Sequence, residues 1–315
     1  MHISIVGTGS ALPQKAVSND DLSRTLDTSD AWIYSRTGIR YRHIAGPEET
    51  FATLGEKAAR EAMTAAGVRP EEVGLIIAAT ATAGNVTPSS ACLVQARIGV
   101  PRAVCFDLNA ACSGFLYALR TAEALMRSGV AGTALILGGE ILSHFLDWND
   151  RSTCVLFGDA VGAVVLRASE DPDAGDILGT VLAADGSQGA CLTGRSDPDN
   201  HYLHMDGQQV FRFAVRTVPE VIEEVLRQTK TEKEQVRYYV LHQANARIID
   251  AAARRMQEPL EKFPMNMERT ANTSAASIPI LLDEMARGGK ISRGDRLVLA
   301  GFGGGLTWGA SVVRW

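Results

Sequence analysis

The chain predicts a layered α/β fold, with two sheets and central helices packed between them. Three observations carry that expectation. Short apolar runs bounded by glycine or polar turns alternate with segments of helical period. The chain also aligns with itself at one offset: residues 73–79 (Val-Gly-Leu-Ile-Ile-Ala-Ala) lie over 236–242 (Val-Arg-Tyr-Tyr-Val-Leu-His), 163 residues on. The segments 109–114 and 272–277, and 135–138 and 298–301, repeat the same spacing. Third, the helix expected after Cys112 is apolar around most of its circumference until Arg120 and Glu123, as a helix between two sheets must be.

The elements follow in order. Strands are expected at 3–6, 75–79, 103–108, 134–137, 162–166, 238–241, 296–299 and 311–313. After Cys112, the residues Phe115, Ala118, Leu119, Ala122, Leu125 and Met126 recur at the spacing of a buried helix face, and Gly129 is placed to end it. After Asn272, Ile278, Leu281, Leu282 and Met285 repeat the pattern up to Gly288-Gly289, so a strand, a polar turn and a core helix are expected at matching positions in both halves. Each half closes on a glycine turn and a strand, but Gly162 and Gly309 are only 147 residues apart; the difference lies in an extra segment around 141–155. The turn-rich stretch 169–175 divides the chain into halves 1–170 and 171–315, and 185–204 reads as a surface loop.

Composition narrows the function. At 315 residues with 46% hydrophobic content and 30 glycines, the chain is long enough for a large buried core and shows no compositional sign of disorder. No apolar run approaches the ~20 residues needed to cross a bilayer, and the N-terminus lacks the basic and apolar regions of a secretion signal. Five cysteines without a CxxC pair argue against a disulfide framework or a zinc site, and the cytoplasm is the expected compartment. A net charge of −5 argues against non-specific nucleic-acid binding, so an acidic partner has to be met by a local basic patch.

The two halves are chemically unequal. Cys112 stands where the second half has Ala275, and His242 stands where the first has Ala79. A thiol between a strand and a helix start is expected to be made more acidic by unpaired N–H groups and the positive end of the helix dipole. Cys92, Cys105, Cys154 and Cys191 read instead as small buried hydrophobes. His242 closes a strand, where α/β folds collect functional groups, and has Asn272 on a neighbouring junction. His2, His43, His144, His201 and His204 lack such a setting and read as surface or loop residues. Gly303-Gly304-Gly305 can present N–H groups to a developing oxyanion, although a glycine triplet alone is more often a plain turn. Trp32 beside Arg36 and Arg40 reads equally as an adenine and phosphate site or as an ordinary helix face. Arg247, Arg254 and Arg255 share one side of a helix and Arg212 lies on another: a solvated face or a dock for an acidic carrier.

Five motifs together carry a family likeness: Asp-Thr-Ser-Asp-Ala-Trp32-Ile-Tyr-Ser-Arg36-Thr-Gly-Ile-Arg, Ala-Ala-Cys112-Ser-Gly-Phe, His242-Gln-Ala-Asn-Ala-Arg247-Ile, Asn272-Thr-Ser-Ala-Ala-Ser-Ile-Pro and Phe302-Gly-Gly-Gly-Leu-Thr-Trp-Gly309. The chain resembles β-ketoacyl-[acyl-carrier-protein] synthase III, a thiolase-fold condensing enzyme, from its first strand to its last residues. The resemblance implies a five-layered α-β-α-β-α fold and a decarboxylative condensation of an acyl-CoA with malonyl-[acyl-carrier-protein], starting fatty-acid synthesis. It implies Cys112 as the nucleophile, with His242 and Asn272 stabilising the enolate. The amides of Cys112 and Gly304 would form the oxyanion hole. Trp32, Arg36, Thr37, Arg151 and Asn245 would hold CoA, and Thr87, Leu142 and Phe157 would line the acyl pocket. Arg212, Arg247, Arg254 and Arg255 would receive the carrier. It further implies a homodimer, no cofactor and no metal, with CoA only as substrate.

Two departures bear on the substrate. Many acetyl-primed members place an aromatic where this chain has Thr87; a smaller side chain leaves a longer channel, where each added buried CH₂ gains ~0.8 kcal/mol, so primers beyond acetyl are expected. Ala271 precedes Asn272 where glycine is common, and only a slight backbone effect is expected. A same-fold ketosynthase of secondary metabolism is the main alternative. A thiolase lacks support because no second thiol accompanies the C-terminal glycines, and a non-catalytic partner subunit would have lost Cys112, His242 and Asn272.

Overall fold

The structure is a computed structural model that describes residues 1–194 and 202–315; His201 and part of the expected 185–204 loop lie outside the described residues. In chain order it runs β1 (His2–Ala11), α1 (Asp30–Thr37), α2 (Phe51–Ala66), β2 (Leu75–Ala79), α3 (Ser90–Ile98), β3 (Val104–Leu108), α4 (Gly114–Arg127), β4 (Thr133–Glu140) and β5 (Ala160–Ser169). It continues through β6 (Asp176–Ala184), α5 (Gly207–Thr229), β7 (Val236–Leu241), α6 (Ala246–Met256), α7 (Ser277–Arg287), β8 (Arg296–Gly303) and β9 (Thr307–Arg314).

Among the described residues two large sheets form, ordered β1-β5-β4-β2-β3 and β6-β9-β8-β7, beside two short two-stranded ribbons, Lys15–Ser18 with Tyr41–Ile44 and Leu192–Thr193 with His204–Met205. In the first, β2 runs parallel to both β3 and β4, while β5 is antiparallel to β1 and β4. In the second, β7 is parallel to β8, and β9 is antiparallel to β8 and β6. Strands buried on both faces read as unbroken apolar runs, which is why Leu-Ile-Ile-Ala-Ala and Thr-Ala-Leu-Ile-Leu form the buried β2 and β4. Three apolar clusters stack through the molecule. One joins α2 and α3 to the outer face of the first sheet, and one joins α5 and α6 to the outer face of the second. The middle cluster holds α4 and α7 between residues of both sheets. The five layers are therefore helix, sheet, helices, sheet, helix.

The middle layer shows how sequence and burial agree. Phe115, Leu116, Ala118, Leu119 and Ala122 on α4 are all fully buried, and Gly129, at φ 85°, turns the chain out of the helix where only glycine does so without strain. Glu123, which breaks the apolar pattern, is itself buried and is held by Arg120 at 2.8 Å and Arg127 at 2.9 Å.

Three features differ from the sequence reading. β6 was not expected; it is an edge strand paired with β9 alone, half-buried and interrupted by Gly179, so its apolar signal is weak. Asn272 does not follow a strand. The segment before it forms a short helix, Met267–Thr270, because the backbone of the 156–158 segment takes up the pairing of Asn272: its N–H reaches the Leu156 carbonyl at 2.9 Å, and its carbonyl accepts from Gly158 at 3.0 Å. Ala271 carries more than a slight backbone effect: at φ 58°, ψ −162° it occupies a region essentially reserved for glycine, which costs about 1–3 kcal/mol.

The extra segment between β4 and β5 folds over one end of the sheets and is tied down by Arg42. This guanidinium is fully buried and donates to the carbonyl of Val155 at 3.0 Å, the carbonyl of Val17 at 3.2 Å and Oδ1 of Asn19 at 2.7 Å. Burial holds its pKa down at about 10. Arg42→Met keeps the volume but leaves three acceptors without their donor, two of them in buried contacts. The expected loss is about 3 kcal/mol, seen as a lower urea midpoint with an unchanged slope; an unaltered midpoint would show that the segment is held by packing alone.

Candidate active site

A cavity of about 520 Å³ opens where the two sheets' loops meet, and Cys112, His242 and Asn272 all line it. Each arrives from a different element. Cys112 lies in the 3-10 turn Ala111–Ser113 that leads into α4. His242 follows β7, its N–H bonded to the Ala300 carbonyl of β8 at 2.8 Å. Asn272 precedes the turn Ser274–Ala276 that leads into α7. The two turns are mirror devices: Ala111 and Ser274, 163 residues apart, both take left-handed backbone (φ 46° and 52°) and so turn the chain sharply from β3 and from Asn272 into the central helices.

Cys112 is half-buried at the cavity wall, and Gly303 presses against it so closely that a Cβ on that residue would come within 2.6 Å of the Cys112 nitrogen. The glycine turn is tied to the cysteine turn by Thr307. Its hydroxyl lies 3.0 Å from the Ala110 carbonyl, 3.1 Å from the Gly304 carbonyl and 2.6 Å from the Ser113 hydroxyl. Burial pushes the Cys112 thiol up to about 12. The nearby Ser274 and the cysteine's own backbone N–H pull the other way, and the Glu140 carboxylate adds to the rise. Burial is the largest of these influences, so the net shift is upward rather than toward the thiolate.

His242 is buried, and burial lowers its pKa to about 3, so the imidazole is neutral throughout the physiological range. Its Nδ1 lies 2.7 Å from the Ser277 hydroxyl, and its ring packs edge-on to Phe302. Asn272 Oδ1 accepts from the Ser274 N–H at 2.9 Å, which leaves the amide NH₂ as the group free to donate.

At the cavity mouth, the Arg36 and Arg151 guanidinium groups lie over the Trp32 ring at 4.4 and 5.2 Å. Arg151 also pairs with Asp27. Thr37 is buried, and its hydroxyl is bonded to the Ile33 carbonyl. Asn245 caps α6 and donates to the Arg36 carbonyl at 3.0 Å, joining the Trp32 helix to the His242 loop. Arg212 and Arg247 are exposed at the same mouth. Arg254 and Arg255 are exposed further along α6, outside the cavity wall, and Arg255 is paired with Glu220 at 2.9 Å.

The acyl-pocket residues separate. Phe157 lines the cavity, and Leu142 is buried in the cluster behind it. Thr87 lies on an exposed loop beside fully exposed Val86 and does not line the cavity of the single chain. Gly304 is adjacent to the wall residue Gly303. Ser274, Ser277 and Glu140 were not singled out in the sequence. The signal for Glu140 was present: it is a charge closing the apolar run of β4, at the place where β8 has Gly303.

Among the described residues, no helix is long and apolar enough to cross a membrane, and no group of three His, Cys, Asp or Glu is placed to hold a metal ion.

Comparison with known proteins places this geometry. Residues 106–186 match the family model for 3-oxoacyl-[acyl-carrier-protein] synthase III, and residues 226–315 match that of its C-terminal part. The β-ketoacyl-[acyl-carrier-protein] synthase III of Sphingopyxis alaskensis is 50% identical over 312 residues, covering 98% of this chain and 97% of that protein. Its counterpart in Rhizorhabdus wittichii is 49% identical, covering 99% and 98%. The crystal structure of the Aquifex aeolicus 3-oxoacyl-[acyl-carrier-protein] synthase III superposes with a TM-score of 0.95 at 47% identity, over 99% of this chain and all of that one. The chain belongs to the β-ketoacyl-[acyl-carrier-protein] synthase III family of thiolase-fold condensing enzymes, the acyltransferases of fatty-acid synthesis.

Proposed function

We propose that this chain, read as two halves (1–170 and 171–315) sharing one active site, condenses an acyl-CoA with malonyl-[acyl-carrier-protein], and that it does so as a cytoplasmic homodimer without a cofactor. The observation that carries the reading is the convergence of a thiol, a neutral imidazole and an oriented carboxamide on one cavity.

In the first step, the Cys112 sulfur attacks the acyl thioester. A C–S bond to Cys112 forms, the bond to the CoA sulfur breaks, and the proton lost by Cys112 leaves on CoA as its thiol. The amides of Cys112 and Gly304 stabilise the tetrahedral oxyanion, held in register by Thr307. Trp32, Arg36 and Arg151 meet the nucleotide, with Thr37 and Asn245 fixing the helix that carries Trp32 and Arg36. In the second step, the malonyl carboxylate departs as CO₂ and its bonding electrons pass to the α-carbon. Ser277 donating to Nδ1 keeps the hydrogen of His242 on Nε2, so that Nε2–H and the Asn272 NH₂ both donate to the enolate oxygen. The carbanion attacks the acyl-cysteine carbonyl, forming the C–C bond of the β-ketoacyl-carrier protein as the C–S bond breaks, and the expelled Cys112 thiolate takes a proton from water to restore the thiol. Arg212 and Arg247 flank the mouth where the acidic carrier docks, and Arg254 extends that surface; Arg255 contributes less because Glu220 neutralises it.

The primer is proposed to reach beyond acetyl, along a pocket formed by Phe157 with Leu142 behind it. Thr87 acts on that pocket only in the assembled dimer, because the single chain leaves it on an exposed loop. Intact-mass measurement after exposure to acyl-CoAs of graded length tests both the residue and the reach. The expected result is a single adduct on Cys112, formed with octanoyl-CoA at least as fast as with acetyl-CoA; acetylation without octanoylation would overturn the long-primer reading. The priming β-ketosynthase of the R1128 polyketide pathway, 35% identical with a TM-score of 0.94, keeps a secondary-metabolic role as the second reading.

A further inference from the structure

Glu140 is a fully buried carboxyl that the two steps above leave unused. It ends β4, and its hydrogen-bonding neighbours all donate to it. Oε2 accepts from the hydroxyls of Thr82 at 2.6 Å and Thr80 at 3.1 Å, and the Ala81 N–H is shared between Oε2 at 3.0 Å and Oε1 at 3.1 Å. Each threonine oxygen already accepts a backbone N–H, that of Ile141 or Thr82, so both hydroxyl hydrogens are left for the carboxyl. The remaining donor comes from the other half of the chain: the Ser274 hydroxyl reaches Oε1 at 3.2 Å.

Ser274 meets the active site through its backbone. Its N–H is the donor that Asn272 Oδ1 accepts at 2.9 Å. The main chain of Asn272 is pinned to Leu156 and Gly158, so the direction of its NH₂ depends on where the Ser274 N–H sits. Ser274 lies at φ 52°, a left-handed conformation that strains any residue with a Cβ and persists only where its surroundings hold it.

The first half contains the same turn without the tie. Ala111 matches Ser274 at φ 46°, and its N–H bonds Asn109 Oδ1 at 3.1 Å just as Ser274 bonds Asn272. Ala111 has no hydroxyl, Gly303 occupies the place that matches Glu140, and Asn109 is exposed and lines no part of the cavity. The turn therefore folds without a carboxyl behind it. Carboxyl and hydroxyl occur together only behind the asparagine that faces the cavity.

We propose that Glu140 and Ser274 are positioning residues for the decarboxylation step: the carboxyl holds the Ser274 hydroxyl, which fixes the turn so that the Ser274 N–H keeps Asn272 Oδ1 and turns the carboxamide NH₂ toward the enolate oxygen. Neither residue touches substrate. Acylation of Cys112 does not call on Asn272, so the tie serves the second step alone.

The part played by Asn272 comes from the condensing reading, on which this rests, so the tie is tested by rate and by the side chain itself. Ser274→Ala should fold, since Ala111 holds the matching turn. Its kcat for CO₂ release from malonyl-carrier protein should fall ~10-fold, with KM little changed and Cys112 acylation within ~2-fold of the original. In an Asn272→Ala background the same substitution should cost nothing further, because its effect passes through the carboxamide. Glu140→Gln should likewise add nothing to the loss already present in Ser274→Ala. The proposal is overturned if Ser274→Ala releases CO₂ at the original rate, or costs ~10-fold again without Asn272. A Glu140→Gln loss that is as large in Ser274→Ala as in the unaltered protein overturns it too. Should Ser274→Ala fail to fold, Ser274→Gly removes the hydroxyl at a position where glycine is unstrained, and it must show the same losses or the proposal falls. In ¹⁵N-labelled protein the two Asn272 side-chain amide protons should give one resolved, exchange-protected pair that shifts or broadens in Ser274→Ala. If that pair responds while the unaltered protein releases no CO₂, the positioning stands and the condensing reading falls; a pair that does not respond overturns the positioning itself.

Discussion

Cys112→Ala should form no acyl adduct with any acyl-CoA and should lose at least ~10⁴-fold in condensation rate, because without the sulfur no covalent intermediate can divide the reaction into two steps. The fold should not suffer. Alanine already occupies the matching place in the second half, Ala275 in the turn Ser274–Ala276, where the backbone takes the same left-handed entry. The melting temperature is therefore expected to stay close to that of the unaltered protein. His242 and Asn272 remain in place, so slow release of CO₂ from malonyl-carrier protein should persist without a primer. An adduct surviving on Cys92, Cys105, Cys154 or Cys191 would show that the nucleophile has been misassigned.

His242→Ala and Asn272→Ala should separate the two half-reactions. Each removes one hydrogen-bond donor aimed at the enolate, and a single such donor is worth about 10²–10³ in rate. Condensation should fall by that amount, while labelling of Cys112 by acyl-CoA stays within a few-fold of the original. The double variant should lose less than the product of the two, since both donors serve one oxygen. Buried and held neutral, His242 is suited to donate from Nε2 and poorly suited to take a proton from sulfur. If His242→Ala slowed acylation as much as condensation, the imidazole would be the base of the first step, and the division of labour drawn here would be wrong.

The layered fold and most of the strands are legible in the order of residues alone, because strands buried on both faces must be unbroken apolar runs and central helices must be apolar nearly all round. So is the inequality of the halves, since a thiol facing an alanine, and a histidine facing another, are visible without coordinates. Other features depended on neighbours distant in the chain. β6 exists because β9 offers it an edge, and the segment before Asn272 is helical because residues 156–158 take up the pairing there. Local position at a helix start argues for a more acidic Cys112, whereas burial, set by the packing of the two halves, acts in the opposite direction. Thr87, exposed on its loop, does not line the cavity of the single chain. Periodicity and composition report what each residue requires of its environment. Only the folded chain decides which partners supply it, and protonation and reach depend on those partners.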